Sequence, residues 1–203
     1  HDGAGIRTTV FLKGCTLACA WCQNPETIEP RLGPVFFRNK CIDCSLCVDA
    51  ATHSEATMDA DGHVHVDTTV RDADWLAQVN TCPTGAIAFN GVRYTVAELV
   101  DIAQRDRVFF GAEGGVTLSG GEPLFVPHFA AEVCRELQAD GIDTAIETAL
   151  SVREEAMLEV LPHVDHVFAD LKLMDADAHR HYIGHDNAQI LGNLERLLTS
   201  PYA

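Results

Sequence analysis

The chain has 203 residues, 47% of them hydrophobic, and carries 30 acidic against 14 basic side chains for a formal net charge of −16. That length accommodates one substantial domain and a small inserted one. The charge argues against a nucleic-acid partner, which would need Lys and Arg to neutralise phosphates, and no apolar run approaches the ~18 residues of a membrane span.

The opening His1-Asp2-Gly3 is neither an initiator methionine nor a signal sequence. Residues 199–203 follow a predicted helix with no closing element, so a fragment truncated at both ends is expected. Residues 7–12, β-branched and apolar, read as a strand that runs straight into a cysteine loop. From Gly33-Pro34 to about Gly91 the texture changes to short polar stretches with four cysteines, an inserted module. The chain then alternates. Thr95-Val96-Ala97-Glu98 has the form of a capping box and opens a helix to about Arg105. Residues 115–119 form a predicted strand, 127–140 a helix stopped by Gly141, and 142–147 a strand. Ser151-Val152-Arg153-Glu154 reads as a second capping box, for a helix ending near Pro162. Residues 166–171 read as a strand and 187–198 as a helix with Ile190, Leu191, Leu194, Leu197 and Leu198 on one face. Phe109-Phe110 reads as core, Cys134 as a core cysteine, and His179, His181 and His185 as solvated.

Strand-then-helix alternation predicts an α/β fold with a parallel sheet, whose ligands gather at the carboxyl ends of the strands. The unusual motifs sit there: the cysteine loop after the first strand, Gly120-Gly121-Glu122-Pro123 after the second, Glu147-Thr148 at the third and Asp170-Leu171-Lys172 at the fourth.

Seven of the eight cysteines are grouped too tightly for disulfide pairing within each group: Cys15, Cys19 and Cys22, then Cys41, Cys44 and Cys47, then Cys82. Without a secretory signal such groups point to metal in a reducing compartment, and a cytoplasmic location is expected. The first group has the spacing C-x3-C-x2-C. Three thiolates can hold a four-iron cluster and leave one iron open, whereas an electron-transfer cluster normally takes four cysteines. A zinc site with a distant fourth ligand and a set of reactive thiols are the other readings of the spacing.

With Trp21 before the third cysteine, C-x3-C-x-aromatic-C resembles the signature of the radical S-adenosylmethionine (SAM) superfamily. The approach over residues 2–14 is similar to that of its glycyl-radical-enzyme activating branch, with Ala4 where the branch usually has Pro. The resemblance implies that Cys15, Cys19 and Cys22 hold a 4Fe-4S cluster whose open iron binds SAM. It implies reductive cleavage of SAM to a 5′-deoxyadenosyl radical that takes a hydrogen from a glycine Cα of a partner glycyl radical enzyme. A flavodoxin or ferredoxin would supply the electron. Trp21, Cys22 and Gln23 should lie beside the adenine, and Gly120, Gly121, Glu122 and Pro123 should bind the methionine amino group. Glu147, Thr148, Asp170, Leu171 and Lys172 should place a cation and the methionine carboxylate. Where the branch tends to have Gly after the acid-Thr pair, Ala149-Leu150 stands here, which puts that turn in question. Another radical SAM enzyme acting on a small molecule, and a non-catalytic iron–sulfur electron carrier, are the alternatives.

Cys41-x2-Cys44-x2-Cys47 with Cys82-Pro83 resembles a bacterial ferredoxin. Projecting the ferredoxin spacing puts one complete site on Cys41, Cys44, Cys47 and Cys82. A second would need Ala51, Asp72, Trp75 and Gln78, so one 4Fe-4S cluster is expected in the insert, with zinc on the same four cysteines as the other reading. The expected architecture is a partial (β/α) barrel of the radical SAM type over residues 1–33 and 92–203, with a ferredoxin-like insert over 34–91.

Overall fold

The computed structural model describes residues 2–202; His1 and Ala203, the outermost residues of the expected barrel, lie outside them. Strand β1 (Arg7–Leu12) comes first. A second unit follows with β2 (Pro34–Phe36), α1 (Leu46–Asp49), β3 (Ala56–Met58), β4 (Val64–Val66), α2 (Trp75–Thr81) and β5 (Ile87–Phe89). The chain then continues through α3 (Val96–Phe110), β6 (Gly115–Gly120), α4 (Pro127–Ala139), β7 (Asp143–Thr148), α5 (Glu154–Val160), β8 (His166–Ala169), α6 (Ala176–Ile183) and α7 (Ala188–Leu198). Two compact units result, the second spanning Leu32–Arg93 rather than 34–91.

The larger unit is an α/β fold on a four-stranded sheet of order β1-β6-β7-β8, parallel throughout. Its core joins Val116, Leu118 and Ile146 of the sheet to Val133, Cys134 and Leu137 of α4, Met157 and Val160 of α5, and Ile190 of α7. Cys134 is a core cysteine as expected, and burial, with Asp165 adding to it, pushes its thiol up to about 12. Arg7 straps the sheet. Its side chain, 3% exposed, donates to Thr117 Oγ1 and Val116 O and pairs with Asp143 at 2.7 Å, joining β1, β6 and β7.

Several local expectations need correction. Thr95 and Glu98 form the predicted capping box, but α3 runs on to Phe110, and Phe109 is exposed while Phe110 is buried. The box at Ser151 does not form: α5 starts from Arg153 with no side-chain cap. Strand β8 stops at Ala169, leaving Asp170, Leu171 and Lys172 on the loop beyond it. Helix α6 lies where no element was predicted, and its His179 is fully buried, with Nδ1 against the carbonyl of His185. On α7 the buried face carries Ile190, Asn193 and Leu197, and Leu198 points outward.

The smaller unit is two antiparallel strand pairs, β2–β5 and β3–β4, over a core of Cys47, Ala56, Val64 and Ile87 with Phe36, Trp75, Cys41 and Cys82 packed against it. Glu55 is fully buried in this unit. It accepts from Thr52 N, His53 N and Gln78 Nε2, and Gln78 also donates to Cys47 O at 3.1 Å. Removal from water pushes the Glu55 carboxyl up, but these bonds outweigh it and hold it at about 2 against an ordinary 4.5. A depressed carboxyl stabilises the fold above its unfolded value and ceases to do so as pH falls through the folded one. This unit should therefore lose stability between pH 4.5 and about 2, with the lowered Asp43 and Asp59 sharing the loss. Glu55→Gln should lower stability at pH 7 and flatten that acid dependence. Denaturant unfolding at pH 7 and pH 3 measures both, and an unaltered pH slope would remove Glu55 from this role.

Candidate functional site

The first cysteine loop is suspended by backbone bonds along its length. Gly14 has φ +107, and a Cβ there would come within 2.4 Å of the Phe125 ring, so only glycine fits. Gly14 N donates to Thr27 O and Cys15 N to Ile28 O, while Glu122 N donates to Gly14 O at 2.8 Å. On the other side Ala18 N and Ala20 N donate to Ile183 O and Tyr182 O at the end of α6. Thr16 Oγ1 donates to Ser151 O at 2.7 Å, and the Trp21 ring leans on Tyr182 with centroids 6.0 Å apart. These bonds hold the loop to the scaffold at both ends, and the three thiols of Cys15, Cys19 and Cys22 stay half-buried and outside any disulfide. Burial pushes the Cys15 and Cys19 thiols up; Lys172 opposes it at Cys19.

These cysteines face a cavity of about 900 Å³. Of the other expected site residues, Trp21, Gln23, Gly120, Gly121, Glu147, Thr148, Asp170, Leu171 and Lys172 line it as well. Glu147 accepts from Ser119 Oγ at 2.6 Å. Lys172, in a left-handed backbone conformation with φ +52, pairs with Asp170. Burial lowers its ammonium, but that pair and the nearby cysteines outweigh it and raise the net value.

Glu122 and Pro123 stand behind the wall, both buried and neither lining the cavity. The Glu122 carboxylate is 1% exposed. Oε1 accepts from Leu124 N at 3.1 Å and Thr148 Oγ1 at 2.7 Å, and Oε2 accepts from Ala149 N at 3.0 Å. Burial raises its carboxyl above the ordinary range, with these bonds and Lys172 opposing. Of a carboxylate's roughly four acceptor positions, one is left. The turn in question after Thr148 keeps a glycine-like shape even so: Leu150 itself takes φ +57, its side chain fully buried.

In the smaller unit Cys41, Cys44, Cys47 and Cys82 line one cavity with Phe36, Val64, Ala86 and Ile87. Two residues of that cysteine run, Asp43 and Ser45, are left-handed at φ 55 and 61. Arg38 grips Asp43 with both terminal nitrogens at 2.6 Å, and Val64 N donates to the same carboxylate. Burial raises the Cys82 thiol, but bonds from Ile87, Thr84 and Ala86 outweigh it and bring it below its ordinary value. Among the described residues no three His, Cys, Asp or Glu side chains converge on a single-ion site. A cluster makes a different demand, since each thiolate binds its own iron.

The Radical SAM superfamily model matches residues 9–200. The chain belongs to the radical SAM superfamily. It is 37% identical over 98% of its length to the 4-hydroxyphenylacetate decarboxylase activating enzyme of Clostridium scatologenes. It is 36% identical over 97% to the isethionate sulfite-lyase activating enzyme of Oleidesulfovibrio alaskensis, and 40% identical over 98% to the benzylsuccinate synthase activating enzyme of Thauera aromatica. The chain spans 65%, 65% and 62% of the lengths of these three relatives.

The clamp and the cavity wall should separate in mutagenesis. Glu122→Ala strands three buried donors and should cost about 2–4 kcal/mol of stability. Lys172→Ala removes a half-buried ammonium whose ion-pair partner is Asp170 and should cost under about 1 kcal/mol. Urea denaturation of the two variants checks this, and equal losses would contradict the division.

Proposed function

We propose that this radical SAM chain belongs to a glycyl-radical-enzyme activating enzyme. Its task is to split SAM reductively and direct the 5′-deoxyadenosyl radical to a glycine Cα–H of a partner enzyme. One observation carries the reading: three free, half-buried cysteines face a single cavity that also presents Gly120-Gly121, Glu147-Thr148 and Asp170-Leu171-Lys172. The names of the three relatives support the choice of partner class. A donor set of three thiols on one loop fits a 4Fe-4S cluster with one open iron. When bound, that cluster supplies the electron that splits the carbon–sulfur bond.

The residues divide the remaining work. Lys172 offers its ammonium to the methionine carboxylate. Gly120 and Gly121 let backbone approach the methionine head group closely, and Glu122 holds that strand-end turn in place from behind the wall. Trp21 and Gln23 flank the adenine. Glu147, Thr148 and Asp170 belong to the same lining, where a cation would sit. The parallel sheet with its helices is read as part of a (β/α) barrel over residues 1–33 and 92–203. A flavodoxin or ferredoxin is the proposed electron donor, and the cytoplasm the proposed compartment.

Residues 34–91 are read as a ferredoxin-like insert holding a second 4Fe-4S cluster on Cys41, Cys44, Cys47 and Cys82. These residues do not fit a third cluster. Of the projected ligands, Trp75 packs into the unit's core with its indole N–H on Val70 O, and Gln78 is buried against Cys47 and Glu55.

The direct test mixes the reduced, reconstituted protein and SAM with glycyl radical enzymes of the classes its relatives activate. A glycyl radical in the electron paramagnetic resonance spectrum of one of them is the expected result. 5′-Deoxyadenosine formed with no radical on any partner would favour a small-molecule substrate. Iron should come to about eight atoms per chain; about four with one zinc would overturn the second cluster. Cys82→Ala should lose that cluster yet still cleave SAM under dithionite, because four-cysteine ligation leaves no open iron. Loss of cleavage with the first cluster intact would give the insert a direct catalytic role.

A further inference from the structure

We propose that Asn193, on α7 and outside the cavity lining, is a positioning residue for the SAM pocket; the inference rests on the reading of that pocket given above. Asn193 is 5% exposed. Its carboxamide nitrogen donates to Leu150 O at 2.8 Å and to Val152 O at 2.7 Å. Both carbonyls belong to the turn that follows β7, and they bracket a bend that does not form on its own account. Leu150 sits there at φ +57, a left-handed conformation that disfavours a leucine. The Leu150 side chain is fully buried, so the bend is held from two sides, by packing and by the Asn193 carboxamide.

The opposite edge of the same turn faces the site. Ala149 N donates to Glu122 Oε2 at 3.0 Å. Leu150 N donates to Thr148 Oγ1 at 2.9 Å, and that hydroxyl in turn donates to Glu122 Oε1. Ser151 O accepts from Thr16 Oγ1 in the cysteine loop. One carboxamide therefore sets a five-residue turn that braces both the Gly-Gly-Glu-Pro wall and the loop of Cys15, Cys19 and Cys22. Helix docking alone does not call for an amide here. Ile190 and Leu197 already bury the face of α7, and a leucine at 193 would dock by area while leaving two buried carbonyls unpaired. The consequence is specific. Loss of the amide should let the turn relax and disturb the pocket that receives the methionine end of SAM, without removing any iron ligand.

The test uses anaerobically reconstituted full-length protein and four forms of it: wild type, Asn193→Leu, the milder Asn193→Ser, and Arg196→Ala. Arg196 lies on the same helix and ties it to Glu154 of α5 through an exposed ion pair, so its removal loosens α7 without touching the turn. SAM binding is read from the change it causes in the spectrum of the reduced cluster, with iron measured on the same samples. KM and kcat for 5′-deoxyadenosine formation under dithionite are read alongside. Asn193→Leu should keep its iron and weaken SAM binding about tenfold, with the change in KM rather than kcat, and Asn193→Ser should weaken it about three- to fivefold. Arg196→Ala should stay within about twofold of wild type. SAM affinity within twofold of wild type in an iron-loaded Asn193→Leu or Asn193→Ser protein would overturn the proposal, as would an equal loss in Arg196→Ala. If Asn193→Leu does not fold, Asn193→Ser decides alone. A wild-type protein whose cluster spectrum does not respond to SAM would instead overturn the reading of the pocket itself.

Discussion

A carboxylate buried at the carboxyl ends of the strands organises the site. Withdrawing an ionised carboxyl from water is costly unless its acceptor positions are filled, and Glu122 fills three of them from two places in the chain. Leu124 N comes from its own turn, Thr148 and Ala149 from the end of β7. Its backbone N–H holds Gly14, the residue before the first cysteine. The strand-end turn, the β7 loop and the cysteine loop thereby have one common anchor. Any of the three moving alone would break a buried hydrogen bond. That cooperativity lets a cavity of about 900 Å³ keep its walls even though much of its lining is loop.

What can be read from the sequence follows from what local chemistry announces. Cysteine spacing is a local property, so both cysteine groups, which the structure gathers at two separate cavities, are legible from the sequence alone. The strands are legible from β-branched apolar runs, which is why β1, β6 and β7 fall within a residue or so of expectation. Helix α6 is not, because it buries only His179 and Ile183 and shows no apolar stripe. Its signals are at its ends, an Asp175 cap accepting from Ala178 N and Gly184 in the left-handed region. The left-handed Leu150 and the inward Asn193 leave no trace in the sequence pattern. A leucine is the wrong residue for that conformation and an asparagine the wrong residue for that face, and each makes sense only beside the other. Glu122 is visible as a motif but not as a clamp, since its donors from β7 lie 26 and 27 residues away in the chain.

The smaller unit is governed by a different shortage. Five buried apolar residues, one of them Cys47, make a core too small to hold some sixty residues without help. Cys47, Cys41 and Cys82 are part of that core rather than ornaments on it, and the Arg38–Asp43 grip and the Glu55–Gln78 pair brace the loops that carry them. A cluster there would stabilise the fold as well as carry charge.

The central claim is that Cys15, Cys19 and Cys22 together hold the cluster that splits SAM, and one variant tests it most directly. Cys19→Ala leaves two thiols, too few for an open-iron cluster. Anaerobically reconstituted Cys19→Ala should form no 5′-deoxyadenosine from SAM under dithionite. Cleavage of SAM by Cys19→Ala at a rate comparable to wild type would contradict the claim.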